Sequence, residues 1–152
     1  MKVEPQYLKI DDTIRSVHRI EKNSHSGIPL FVSRIPAGFP SPADDYIDSS
    51  LDLNELLVRH PSATFFVRVS GDSMVEAGIN SGDILIVDRA EAAVSGRIVI
   101  ASLDGELTVK RFLRNGGEVY LAAENCSYDP IRVSPEMDFE IWGVVVHVIH
   151  SL

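Results

Sequence analysis

The sequence predicts a mainly β domain, built on a bent or partly closed antiparallel sheet with one or two short helices and an extended N-terminal arm. Three observations carry this expectation. Across residues 65–149, six or seven short apolar or alternating segments are separated by turn residues, the pattern of a small antiparallel sheet rather than of helices. Two of the turns, Asp104-Gly105 and Asn115-Gly116-Gly117, have the composition of tight hairpins. Residues 35–42, IPAGFPSP, carry three prolines, which fix φ and bias the preceding residues towards extended conformations; this stretch reads as a linker or an extended arm.

The elements follow in chain order. Residues 1–37 hold six basic and four acidic side chains, a net +2, which leaves eight basic against eighteen acidic in residues 38–152, a net −10. After the proline-rich stretch, Leu53, Leu56 and Leu57 recur at helical spacing and Pro61 stops the pattern, which predicts a short amphipathic helix near residues 51–59. Residues 65–69 alternate, 84–87 form an apolar run, and 97–103 face 106–113 across Asp104-Gly105. Residues 119–123, 131–133 and 139–149 complete the strands.

With 152 residues, 45% of them apolar and 24% charged, the chain has the length of one domain and the means to bury a core. No apolar run approaches the roughly 18 to 20 residues needed to span a bilayer, and the first 30 residues lack the apolar centre of a signal peptide. With its single Cys126, the chain reads as a cytoplasmic protein without membrane contact. The acidic body repels phosphate, which argues against direct duplex binding by residues 38–152; any link to nucleic acid runs through a partner protein.

Phosphate-binding glycine loops, the dinucleotide fingerprint, paired cysteines and HExxH are all missing from the sequence, so no metal or cofactor is expected. His147 and His150 fall on opposite faces of a strand and cannot share one ion. Ser73, in Gly71-Asp72-Ser73-Met74, stands where the strand 65–69 ends, a place where a scaffold can present a hydroxyl. Ser73 followed by Glu76 is also a capping-box pattern for a short helix running to Gly78, and the residues by themselves favour the cap. A serine nucleophile needs a base. No histidine is well placed, but a lysine serves if desolvation keeps its amine neutral. Lys110 is the candidate, sharing a strand face with Thr108 and Phe112; the alternative is a solvated lysine on a polar face.

Beyond these readings, the chain closely resembles the UmuD family of LexA-like self-cleaving serine peptidases. The resemblance runs in order through AGFPSPADDY (37–46), HPSATFFVRVSGDSM (60–74), GDILIVD (82–88), LTVKRF (107–112) and EIWGVVVHV (140–148). It implies a LexA-like peptidase fold, with Ser73 as nucleophile, Lys110 as general base and the chain's own Ala37–Gly38 bond as substrate. Residues 1–37 would be the arm removed and 38–152 the peptidase domain. Backbone amides at Asp72 and Ser73 would form the oxyanion hole. The resemblance further implies a homodimer of the bacterial SOS response, cleaved on meeting a RecA filament on single-stranded DNA. The shortened dimer then joins a UmuC-type subunit as an error-prone translesion polymerase.

In one respect the sequence departs from the best-known UmuD members, which have cysteine before the scissile glycine; Ala37 gives the Ala-Gly pair of LexA and phage repressors. LexA itself is a weaker match, because only 37 residues precede the bond and no helix-turn-helix pattern appears in them. The competing reading is a noncatalytic regulatory module of the same fold that binds a polymerase, with Ser73 as a cap and Lys110 facing solvent.

Overall fold

The structure, a computed structural model, describes residues 9–10, 14–19, 28–31 and 47–152. The Ala37–Gly38 bond and the proline-rich stretch lie outside the described residues. The chain divides into two compact units, one of Met1–Ile20 with His60–Leu152 and one of Glu21–Arg59. In the second unit β3 (Ile28–Phe31) pairs antiparallel with β4 (Ile47–Leu51). The predicted helix follows as α1 (Leu53–Leu57), shorter than the leucine spacing suggested. Its N-cap is Asp52, whose carboxylate accepts the Asn54 N–H at 2.8 Å. Leu53 and Leu56 stay 49% and 55% exposed, so the expected apolar stripe is not buried.

The first unit carries the sheet. Its strands are β1 (Lys9–Ile10), β2 (Ile14–Arg19), β5 (Thr64–Val69), β6 (Ile84–Asp88), β7 (Ile98–Leu103), β8 (Glu106–Asn115), β9 (Glu118–Ala122), β10 (Ile131–Val133) and β11 (Phe139–Ile149). They run in the order β10-β9-β8-β7-β11-β6-β5-β2, with β1 added parallel to β8 through Glu106 and Leu107. All other pairings are antiparallel. This is a curled, partly closed antiparallel sheet, as the sequence predicts. β1 and β2 are near neighbours in sequence yet join β8 and β5, far apart in the strand order, which requires the sheet to bend round on itself.

Local chemistry explains the register. Asp104 and Gly105 both take positive φ, 50° and 83°, as a two-residue hairpin turn that matches strand twist requires. Gly116 and Gly117 repeat the device between β8 and β9. β11 has bulges between Ile141 and Gly143 and between Val145 and His147, which let one strand bend to pair first with β7 and then with β6. Side-chain alternation then builds two apolar clusters: Ile100, Leu107 and Val109 join one with Val67, Leu85 and Val87, while Val99, Ala101 and Phe112 join the other.

β6 is bounded by two buried carboxylates. At one end Asp88 (2% exposed) meets His60 Nδ1 at 2.6 Å; at the other Asp83 (4%) meets His150 Nδ1 at 2.7 Å. Asp83 also accepts the Asn80 N–H at 2.8 Å. Burial works to raise the Asp83 carboxyl, but the Asn80 amide and His150 outweigh it and hold it below its ordinary value of 3.8. A carboxyl depressed in the folded state gives stability that is complete above its unfolded value and is lost as pH falls through the folded one. In thermal melts, wild type is therefore expected to lead Asp83→Asn most at neutral pH, with the gap closing as the pH falls below the ordinary carboxyl value of 3.8. A gap that stays constant over that range would show that the charge contributes none of it.

Candidate active site

The site forms where β5 ends against β8. Residues 70–74 leave β5 through Gly71, whose φ of 84° makes the tight turn a side chain would resist. Successive residues then go opposite ways. Met74, 3% exposed, enters the core cluster with Val69, Ile79 and Val109, and so anchors the loop. Ser73, 5% exposed, presents its hydroxyl to β8.

Lys110 lies in the middle of β8 opposite Val99, in a stretch (107–110) buried on both faces. It is only 8% exposed. Its Nζ donates to Ser73 Oγ at 3.4 Å, Thr108 Oγ1 at 3.0 Å and the Val109 carbonyl at 3.0 Å. The solvated lysine is therefore corrected: the face of Thr108 and Lys110, polar in sequence, lies inside. An amine removed from water loses the hydration that favours its charged form.

The capping-box alternative for Ser73 is not realised either. The helical turn after it is a 3-10 turn over Val75–Ala77 that starts from Met74 with no side-chain cap and ends at Gly78, φ 76°. Ser73 stands one residue too early to cap it. The Glu76 carboxylate accepts the Cys126 N–H at 3.2 Å instead.

The segment after β9 grips this loop. Glu124 N–H donates to the Ser73 carbonyl at 2.8 Å, Glu76 N–H donates to the Glu124 carbonyl at 2.8 Å, and Asn125 Nδ2 donates to the Asp72 carbonyl at 3.0 Å. Tyr128 OH donates to Asp72 Oδ1 at 2.6 Å; this bond to a carboxylate pushes the phenol above its ordinary value. Arg111, the residue after Lys110, pairs with the Glu124 carboxylate and donates to the Gly96 carbonyl at 2.6 Å. Beside Ser73 a small pocket is lined by Val69, Ser70, Gly71, Met74, Ile79 and Val109. Of the residues named from sequence, the structure joins Asp72, Ser73 and Lys110; Ala37 and Gly38 lie outside the described residues. Thr108 was legible as sharing the lysine's strand face, whereas no sequence signal marks Asn125 or Tyr128. Among the described residues no group of His, Cys, Asp and Glu could hold a metal ion, and no helix is long and apolar enough to cross a membrane.

The family match defines the class as serine peptidase. The Peptidase S24-like family model matches residues 29–146. The chain belongs to that family, and within it to the UmuD group, self-cleaving peptidases of SOS mutagenesis with a polymerase accessory role. It is 51% identical over 126 residues to protein SamA of Salmonella typhimurium (strain LT2), covering 83% of this chain and 87% of that protein. It is 47% identical over 121 residues to protein MucA of Escherichia coli, covering 79% and 82%. With the LexA repressor of Shewanella sp. (strain ANA-3) it shares 40% over 134 residues, 86% of this chain and 63% of that protein.

Proposed function

We propose that the chain cuts its own Ala37–Gly38 bond with Ser73 as nucleophile and Lys110 as general base. The observation that carries this reading is the buried lysine amine on the Ser73 hydroxyl, 3.4 Å away. Neutral Lys110 takes the hydroxyl proton as Oγ attacks the Ala37 carbonyl carbon. The tetrahedral intermediate then collapses: the C–N bond breaks, Lys110 returns the proton to the Gly38 amine, and residues 1–37 remain as an ester on Ser73. Water, deprotonated by the same amine, hydrolyses the ester, leaving residues 1–37 and 38–152.

Two further observations support the reading. Neither the Asp72 nor the Ser73 amide donates a hydrogen bond to a described residue, which suits a role as oxyanion donors. The small apolar pocket beside Ser73 suits a methyl side chain such as that of Ala37. Thr108 and the Val109 carbonyl hold the amine in place. In this reading the RecA filament on single-stranded DNA triggers the cut, and the shortened homodimer, residues 38–152, serves a UmuC-type polymerase subunit in the cytoplasm, without itself reading DNA sequence.

The test is intact mass against time for the purified full chain at neutral and mildly alkaline pH, with and without an activated RecA filament. A fragment beginning at Gly38, formed faster at higher pH or with the filament, is the expected result. Cleavage elsewhere, or none under any condition, overturns it.

A further inference from the structure

Both peptide groups that flank Ser73 are held by two consecutive residues, more than fifty positions away in the chain. Glu124 N–H binds the Ser73 carbonyl, which fixes the peptide after the nucleophile, and Asn125 Nδ2 binds the Asp72 carbonyl, which fixes the peptide before it. No peptide bond in the described chain is cis, so in the Asp72–Ser73 group the N–H points opposite to the C=O. Holding the Asp72 carbonyl at 3.0 Å therefore aims the Ser73 N–H away from Asn125. The Val75 N–H, at 3.3 Å, also donates to that carbonyl, and it belongs to the same loop rather than to an outside anchor.

Asn125 is itself fixed. Its Oδ1 accepts the Ser127 N–H at 2.9 Å and its carbonyl accepts the Tyr128 N–H at 3.1 Å, a side-chain turn closed on the backbone. Tyr128 returns to the Asp72 carboxylate at 2.6 Å, and Glu124 is tied through Arg111 to β8, the strand that carries Lys110. One strand thus governs the nucleophile twice, through Lys110 on the hydroxyl and through Arg111 and Glu124 on the backbone.

From this geometry we infer that Asn125 is a positioning residue for self-cleavage: its side-chain amide orients the Asp72–Ser73 peptide so that the Ser73 N–H meets the developing oxyanion. This rests on the assignment of Ser73 and Lys110 made above. An oxyanion donor acts through direction as well as distance, and a displacement of about 1 Å in such a group can cost about a hundredfold in rate.

Asn125→Asp separates this role from a structural one. The aspartate keeps the oxygen that accepts the Ser127 N–H, and so keeps the turn, but has no N–H for the Asp72 carbonyl. Self-cleavage of the full chain is followed against pH for wild type, Asn125→Asp, Asn125→Ala and Ser73→Ala, with a thermal melt of each. Asn125→Asp is expected to cut about a hundredfold more slowly than wild type. Its melting temperature should stay near that of wild type; in Asn125→Ala, which brings no new charge beside Asp72, the midpoint of the rate against pH should not move, because the contacts of Lys110 are intact. Asn125→Ala should lose at least as much rate. Asn125→Asp cutting at the wild-type rate, or a rate loss matched by a fallen melting temperature, overturns the inference while leaving the Ser73 and Lys110 assignment standing. A wild type that does not cut, or a Ser73→Ala variant that does, overturns both.

Discussion

Replacing Lys110 with methionine is expected to slow self-cleavage by about a hundredfold to ten-thousandfold, the usual contribution of a general base. Methionine keeps an unbranched stem of similar reach in the space between Ser73 and Thr108 and removes only the amine. The fold should survive, since the exchange takes a costly buried polar group out of the interior rather than leaving a hole. The wild-type rate should climb with pH as the amine gives up its proton, because only the neutral form accepts the Ser73 proton. The residual rate of Lys110→Met should lose that titration. Ser73→Ala should abolish the cut outright, with no ester intermediate in mass spectra. First-order rates over several pH values, each paired with a thermal melt, check the set. A Lys110→Met variant that keeps both rate and titration would move the base elsewhere.

The second large effect falls on stability. Met74 is 3% exposed and packs with Val69, Ile79 and Val109, so Met74→Ala should cost about 2–5 kcal/mol, from lost burial and the cavity left behind. Because Met74 is the inward anchor next to Ser73, the proposed nucleophile, the same change should slow self-cleavage even under conditions where the chain stays folded. Denaturant midpoints measure the first effect and the cleavage rate at low denaturant measures the second. A loss below about 1 kcal/mol would mean that the loop is held from the Glu124 side alone.

Much of the architecture was legible because turns and alternation are local signals. Asp104-Gly105 specified its hairpin to the residue, 139–149 was readable as a long apolar run, and 131–133 as a short alternating one. Leu53, Leu56 and Leu57 marked a helix, but periodicity says nothing of what covers it, and two of the three are half-exposed. The site was harder. Lys110 in an alternating strand looks solvated, and nothing local reveals that the 70–78 loop and β8 enclose it; only the ordered family resemblance pointed inward. Ser73 and Glu76 matched a capping box, yet the backbone places Met74, not Ser73, at the start of the turn. The grip of Asn125 and Tyr128 on Asp72 spans more than fifty residues and obeys no spacing rule, so only the folded chain could show it.

β2 gives the proposed cut at Ala37–Gly38 a particular meaning. Residues 14–19 precede Ala37–Gly38, yet they are an edge strand of the peptidase sheet, paired with β5 from Ile14↔Val69 to Arg19↔Phe65, with Ile14 2% exposed in the core. Hydrolysis at that bond breaks none of these contacts. It changes connectivity before it changes shape, turning a tethered strand into a separate peptide ligand whose departure follows dilution and its own off-rate. The bare edge of β5 is then open to another strand only after that peptide leaves. Chemistry at Ser73 and the moment of unveiling would thus be two clocks.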